Sequence, residues 1–214
     1  MRMRKKKWVP QFLEQEGTYL VRSIEEIPFE QTVYLEIGMG MGDFLVESAL
    51  RHPEIFYLGL EKDETCIARA IRKAEEAGVT NLKVLLEDAS HIVELFPGKS
   101  VDRIYLHFSD PWPKKRNHKR RLTYPTFLVK YETVLKDDGD IVYKSDNEGF
   151  FLDTLEYLKE SPFEIVKEDR DYRSHETEEP MTAYERRFTG LGQPIYYLEL
   201  NSYHFYLQRR IFLM

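Results

Sequence analysis

The sequence predicts an α/β protein built on a mostly parallel, doubly wound sheet of about seven strands. Short apolar runs typical of buried strands alternate with segments whose apolar residues recur at helical spacing. A turn with three alternate glycines, Gly38, Gly40 and Gly42, joins the first strand to a helix. Acidic residues also close or follow five successive strands: Glu36, Glu61, Asp88, Asp110 and Asp146.

The predicted strands are short. In chain order they span residues 32–35, 55–60, 82–86, 101–108, 140–144, 163–166 and 195–200. Helical patterns follow several of these strands, and the clearest runs from Glu64 to Ala77 and ends at Gly78. Asp138 and Gly139 predict a turn before the fifth strand.

Composition restricts the class of protein. A chain of 214 residues allows one sizeable α/β domain with appendages. The single cysteine, Cys66, excludes an internal disulfide and indicates a reducing cytoplasm. The six histidines are dispersed without metal-ligand spacing, so no metal is expected. No segment approaches the ~20 apolar residues of a membrane span.

Charge and composition also suggest how the chain is divided. The net charge is −6, but positive charge is concentrated at residues 2–7 and 114–121. We expect residues 1–17 to form a basic N-terminal arm and residues 18–200 to form the main domain. Residues 201–214 would then be a C-terminal tail, to which we assign no role.

The glycine-rich turn favours a cationic ligand. Alternate glycines allow a tight turn and let a ligand approach bare backbone. Glu36, two residues before Gly38, would repel a pyrophosphate and attract a positive group. Asp43 stands where the dinucleotide fingerprint has its third glycine. The turn therefore favours S-adenosylmethionine, with its sulfonium and amino group, over a nicotinamide or flavin.

The acids at the strand ends are expected to share one site, because ligands of doubly wound sheets bind beyond the carboxyl ends of the strands. Glu61 lies 23 residues after Gly38, close to the spacing at which an acid accepts hydrogen bonds from ribose hydroxyls. Asp88 could accept from an adenine amino group or a backbone donor. Asp110 and Asp146 would face the substrate.

The segment that follows Asp110 suggests contact with nucleic acid. Six of the eight residues from Lys114 to Arg121 are Lys or Arg. Two prolines and Trp112 make the preceding turn rigid. A polyanion that lies along this basic segment would present one of its bases to Asp110.

Four stretches carry a more specific resemblance: Glu36–Gly42, the Phe-Ser-Asp-Pro-Trp-Pro-Lys segment with its basic run, Lys144–Asn147 and Thr182–Glu185. In this order they resemble the bacterial tRNA (guanine-N7)-methyltransferase family. The glycine motif alone indicates a class I methyltransferase with a Rossmann-like fold. The Asp-Pro-Trp-Pro-Lys segment is far more specific to this one family. The resemblance covers about residues 1 to 200.

The resemblance implies methyl transfer from S-adenosylmethionine to N7 of a variable-loop guanosine in tRNA, with Asp110 as the catalytic residue. It places cofactor contacts at Glu36, Gly38, Gly40, Gly42, Glu61, Asp88 and Asp110. It places substrate or RNA contacts at Lys114, Arg116, Asn117, His118, Lys119, Arg120, Arg121, Asp146, Thr182, Ala183, Tyr184 and Glu185. The implied partner is tRNA and the implied location is the cytoplasm, while a homodimer stays open. The tail from Asn201 departs from the family, whose members tend to end near the last strand.

The chemistry of guanine agrees with this reading. N7 carries a lone pair and no proton, so its methylation needs alignment of the reacting atoms rather than a strong base. A carboxylate can accept from the N1–H and N2–H₂ donors and stabilise the charge that develops on the purine. Asp110 is the best candidate, with Asp146 in support. Two alternatives stay open: a methyltransferase for a small molecule or protein, and a non-catalytic RNA-binding module, which leaves the glycine turn unexplained.

Overall fold

A computed structural model describes residues 6–175 and 177–202. The described chain contains a seven-stranded sheet: β1 (Val33–Ile37), β2 (Phe56–Glu61), β3 (Leu82–Leu86), β4 (Val101–His107), β5 (Leu135–Ser145), β6 (Phe163–Asp169) and β7 (Tyr196–Ser202). The spatial order is β3-β2-β1-β4-β5-β7-β6. The first five strands are parallel, and β7 is antiparallel to both of its neighbours. The predicted mostly parallel, doubly wound sheet is confirmed.

Helices cover both faces of the sheet: α1 (Val9–Gln15), α2 (Asp43–Arg51), α3 (Glu64–Ala77), α4 (Ile92–Leu95), α5 (Pro125–Val134), α6 (Glu148–Leu158) and α7 (Ala183–Thr189). Strand side chains alternate between the two faces and so supply two cores. One core contains buried side chains of α1, α2 and α3, and the other contains those of α4, α5 and α6. No helix in the described ranges is long and apolar enough to span a bilayer.

The helix α3 shows how local sequence sets the bounds of an element. The Asp63 carboxylate accepts hydrogen bonds from the backbone amides of Thr65 and Cys66, which satisfies free donors of the first turn. Gly78 ends the helix with φ +67°, a conformation that glycine adopts without steric cost. The observed helix therefore has the predicted bounds.

The N-terminal segment packs on the core from Val9 onwards, although the main domain is expected to begin at residue 18. Val9 and Leu13 of α1 are buried in the core that also contains α3. The Arg72 guanidinium lies 3.9 Å from the centroid of the Trp8 ring, which fixes the start of the helix. These residues fall in the basic arm expected over residues 1–17, but their i, i+4 apolar spacing forms a stripe that packs on the domain. Residues 1–5 lie outside the described chain.

The turn predicted at Asp138 and Gly139 is instead a bulge inside β5. Leu135 pairs with Val101, and the next paired residues are Asp140 and Arg103, so the chain between them loops out of register. A side chain at Gly139 would come within 2.9 Å of the carbonyl oxygen of Asp102, which explains the glycine. At the other boundary, β7 extends to Ser202, and residues 203–214 of the predicted tail lie outside the described chain.

Candidate active site

The strand-end acids meet at one edge of the sheet, as the sequence predicts. Glu36 is the penultimate residue of β1 and Glu61 the last residue of β2, while Asp88, Asp110 and Asp146 follow β3, β4 and β5 closely. The strand order reverses between β1 and β4, and a crevice opens at such a point. The candidate site lies in this crevice.

Two cavities of about 240 Å³ each open here, and both are lined by Gly38 and Phe108. The first cavity is also lined by Glu61, Asp88, Asp110, Trp112 and Arg120. The second cavity is also lined by Glu36, Gly40, Cys66, His107 and the first three residues of the Thr182–Glu185 stretch. The structure therefore brings acids of four strands, and residues of the two segments expected to contact the substrate, to the walls of two adjoining cavities, while Asp146 lines neither.

The three glycines of the turn differ in role. All have positive φ, at +76° for Gly38, +57° for Gly40 and +71° for Gly42. A side-chain carbon at Gly40 would have no described atom within 4 Å, so this part of the turn borders open space. A side-chain carbon at Gly42 would lie 2.8 Å from the Cβ of Ala70. Gly42, expected to bind the cofactor, instead allows α2 to pack closely on α3.

Glu61 is held rigidly at the wall of the first cavity. Its carboxylate accepts hydrogen bonds from the backbone amides of Gly40, Lys62 and Asp63, at 3.2, 2.8 and 3.0 Å. Burial raises the pKa of Glu61, and these three donors oppose the rise. Glu61 thus links the end of β2 to the glycine turn, and a fixed acceptor of this kind suits a ribose.

Glu36 and His107 form a buried pair at the second cavity. His107 Nδ1 lies 3.1 Å from Glu36 Oε1. Burial raises the pKa of Glu36 well above its usual range, and the positive charge of Lys144 opposes this rise. Burial lowers the pKa of His107 well below its usual range, and the charge of Lys144 lowers it further. Both shifts favour the neutral forms of the two side chains, which share one hydrogen bond. In the described chain, Glu36 Oε2 and His107 Nε2 have no hydrogen-bond partner.

The basic segment divides into exposed cations and a buried anchor. Lys114, Arg116 and Lys119 are exposed, and Arg120 stacks on Trp112 with 5.0 Å between its guanidinium and the ring centroid. Arg120 lines the first cavity, so this exposed segment offers a polyanion a path that reaches it.

Arg121 is the anchor of this segment. It is only 3% exposed, and it donates to the carbonyl oxygen of Pro111, to Asp153 and to the Tyr157 hydroxyl. His118 joins the same cluster through Arg121 and Tyr157. Arg121 is expected among the RNA contacts, but its guanidinium is bound within the protein and is not available to a phosphate.

The Thr182–Glu185 stretch also divides into lining residues and a buried one. Thr182 caps α7, and its side chain accepts from the backbone amide of Glu185 at 2.9 Å. Glu185 is fully buried and accepts a hydrogen bond from Arg173 at 2.6 Å. It therefore holds the lining residues in place and is not available to a ligand. Tyr184 is 46% exposed, and burial together with the charges of Asp146 and Asp110 raises its pKa.

Sequence reasoning missed several residues of the site. Phe108 and Trp112 have φ of +49° and +41°, which is costly for residues with side chains and is concentrated at functional sites. Lys144 is completely buried and ion-paired with Glu179. A lysine inside the apolar run of β5 is the signal that could have drawn attention to this pair.

The residues present fit a cationic adenosine cofactor. The unpartnered oxygen of Glu36 suits a positive group, open space borders Gly40, and Glu61 offers an oriented acceptor. The sheet order with its antiparallel β7, together with this crevice, defines a class I S-adenosylmethionine-dependent methyltransferase.

Comparisons with known proteins narrow the class. The family model described as "Putative methyltransferase" matches residues 30–198. The tRNA (guanine-N(7)-)-methyltransferase of Staphylococcus saprophyticus is 39% identical over 207 residues, which cover 93% of this chain and 98% of that protein. The enzyme of the same name from Staphylococcus carnosus is 38% identical, with the same coverage. The chain belongs to the tRNA (guanine-N(7)-)-methyltransferase family.

Solved structures agree on the fold. An antibiotic-related methyltransferase has a TM-score of 0.62 at 18% identity, covering 86% of this chain and 96% of that one. A SAM-dependent methyltransferase from Aquifex aeolicus has a TM-score of 0.58 at 13% identity, covering 90% and 88%. At these identities the likeness concerns the fold alone.

Proposed function

We propose that this protein transfers the methyl group of S-adenosylmethionine to N7 of a variable-loop guanosine in tRNA. One observation carries the proposal: Asp110 lines the first cavity at the end of β4, and the exposed basic segment begins four residues later at Lys114. A cofactor site and a polyanion path therefore meet at one carboxylate. The relatives named tRNA (guanine-N(7)-)-methyltransferase support the same substrate.

The cofactor would be held by the glycine turn and the acids of the first two strands. Gly38 and Gly40 offer bare backbone, Glu61 an oriented carboxylate, and Glu36 a buried carboxyl group behind the turn that a bound cation would ionise. Asp88, at the wall of the first cavity, offers a further acceptor. When bound, S-adenosylmethionine supplies a methyl group on a positively charged sulfur.

Asp110 would hold the guanine. It is exposed at the crevice, where its carboxylate can accept from the N1–H and N2–H₂ donors of the base. Because N7 carries no proton, the residues around it need to orient the base and to stabilise the positive charge that grows on the purine. Asp110 does both, and Asp146 adds negative charge from the end of β5.

Tyr184 would provide a surface for the base. Its half-exposed ring packs on Phe108 and Phe188, with 5.3 and 4.4 Å between ring centroids. Stacking of a base on an aromatic side chain is worth about 1–3 kcal/mol. Tyr184 is therefore the strongest candidate for stacking on the guanine.

The tRNA backbone would follow the exposed cations between Lys114 and Arg120. The buried Arg121 would hold this segment in place. The proposal includes a cytoplasmic location, where free tRNA is present, and a homodimer. Light scattering of the purified protein would test the homodimer, because a mass near the 25.6 kDa of a single chain would exclude it.

The test of the proposed function is incubation of the protein with labelled cofactor and an unmodified tRNA transcript. We expect one labelled guanosine, in the variable loop. A matched transcript with 7-deazaguanosine at that position keeps the shape and the Watson–Crick edge but lacks the N7 lone pair, and it should stay unlabelled. Labelling of a protein or of a small-molecule extract, with none of tRNA, would overturn the proposal.

A further inference from the structure

A completely buried lysine lies beside the second cavity. Lys144, near the end of β5, is in register with His107 of β4. Its side chain is 0% exposed, and its ammonium donates to the carboxylate of Glu179 and lies 3.6 Å from that of Glu185. A buried ammonium is costly unless it is paired, so this placement needs both carboxylates.

The two carboxylates flank the segment that lines the cavity. Glu179 precedes Thr182 in the chain and also accepts from the Tyr172 hydroxyl at 3.1 Å. Glu185 follows Tyr184 and also accepts from Arg173 at 2.6 Å. A single ammonium on the sheet therefore connects to both sides of the lining residues, Thr182, Ala183 and Tyr184.

The same lysine is close to the opposite wall. His107, its register partner, is hydrogen-bonded to Glu36, and both residues line the second cavity. The Lys144 charge acts on both of them, since it lowers the pKa of Glu36 and that of His107. Lys144 thus lies between the strand residues of the cavity and the segment that completes it.

We propose that Lys144 is a positioning residue for methyl transfer: its ammonium fastens the Thr182–Tyr184 segment to the edge of the sheet beside Glu36 and His107. The inference rests on the proposed function, because it takes this cavity as part of the place where cofactor and guanine meet. Lys144 touches neither substrate. It acts by fixing the segment that does.

Two variants test the inference. Lys144→Met removes the ammonium and keeps an unbranched side chain, but it leaves the two carboxylates with one cation fewer. Lys144→Met/Glu179→Gln removes one charge of each sign and so restores the balance. Lys136→Met is the matched control, because Lys136 lies at the other end of β5, where it pairs with Asp102 at 2.8 Å.

We expect kcat for unmodified tRNA to fall about a hundredfold in both Lys144 variants, because a small misplacement of a group that orients the substrate lowers the rate by about this factor. The KM for tRNA should stay within about threefold, because phosphate contacts dominate RNA affinity. Lys136→Met should retain the kcat and KM of the parent. The folded fraction of each variant is measured by thermal denaturation, so that a loss of folded protein is not counted as a loss of kcat.

Amide hydrogen exchange of the protein without cofactor or RNA gives an independent measurement. The amides of Glu185 and Arg186 donate to the Thr182 hydroxyl and carbonyl at 2.9 and 3.0 Å, so they report whether the segment is fastened. We expect at least about tenfold faster exchange at both amides in both Lys144 variants, since opening becomes easier when the ion pairs are lost.

The outcomes separate the inference from the proposed function. Parent-like kcat and exchange in the double variant would show that Lys144 only balances charge, and this result would overturn the inference. Unchanged exchange in Lys144→Met would overturn it as well, whatever the activity. A parent enzyme that does not methylate tRNA would sink the proposed function, while the exchange measurement would still decide whether Lys144 fastens the segment.

Discussion

The Nδ1 atom of His107 lies 3.1 Å from Oε1 of Glu36, and both side chains are fully buried at the wall of the second cavity. Burial raises the pKa of Glu36, so ionisation of this carboxylate is costly in the cofactor-free protein. A cation bound nearby offsets that cost. Cofactor binding should therefore be linked to loss of a proton from Glu36.

The first prediction concerns the stability of Glu36→Gln. The folded parent binds more protons than the unfolded chain between the ordinary pKa of 4.5 and the raised pKa of Glu36, so this residue's contribution to stability is lost as pH rises through that window. Glutamine carries no such cost. The cofactor-free variant should gain stability relative to the parent as pH rises above 4.5. Urea denaturation over a pH series measures the difference.

The same variant should bind S-adenosylmethionine roughly tenfold or more weakly, because a charge-assisted contact is lost. Isothermal titration measures this affinity. Glu156→Gln is the control, since Glu156 is an exposed α6 residue paired with Lys159 and lies outside both cavities. Equal affinity in Glu36→Gln and the parent would show that the carboxylate does not face the cofactor.

The second prediction concerns Gly40. Gly40→Val forces a side chain into a left-handed position, at a cost of roughly 1–2 kcal/mol, and fills open space beside the turn. Gly78→Val carries a comparable strain at φ +67°, also with no described atom near the added carbon, but at the end of α3. We expect both variants to lose similar stability and only Gly40→Val to lose cofactor affinity, by tenfold or more. Equal affinities in the two variants would contradict this assignment.

The third prediction separates the exposed and buried cations of the basic segment. Lys119→Ala should flatten the slope of log K for tRNA against log salt by about 0.7 to 0.9, as loss of one phosphate contact does. Its stability should match that of the parent. Filter binding at several salt concentrations measures the slope.

Arg121→Ala should behave differently from Lys119→Ala. Removal of its buried hydrogen bonds to Pro111, Asp153 and Tyr157 should cost about 2 kcal/mol of stability. Thermal denaturation measures this loss. A fully stable Arg121→Ala variant with a flattened salt slope would show that the guanidinium leaves its pocket to bind RNA.

The fourth prediction concerns Asp110. Asp110→Asn replaces an acceptor with a donor that faces the donors of guanine, so single-turnover methylation of tRNA should slow by about a hundredfold, equivalent to on the order of 3 kcal/mol. Asp137→Asn, at an exposed aspartate paired with Lys99, is the control and should keep the parent rate. A near-parent rate in folded Asp110→Asn would make Asp146 the better candidate.

Local patterns in the sequence determined the framework of this protein. Alternating strand and helix patterns specify the α/β class, and the caps at Asp63 and Gly78 specify the bounds of α3. The acids at the ends of the parallel strands specify where the site lies, because all carboxyl ends of such strands share one edge. Each of these features depends on a few neighbouring residues, so it can be read without the fold.

Only the tertiary structure decided what the individual side chains do. Gly42 allows Ala70 to pack against the turn, Arg121 forms an ion pair with Asp153, and Lys144 forms one with Glu179. In each pair, residues distant in the sequence meet across packed elements. For Gly42 and Arg121, the burial that results turns an expected ligand contact into an internal support. Hydrophobic spacing and charge runs do not indicate such partners, because burial of a polar group depends on the whole fold.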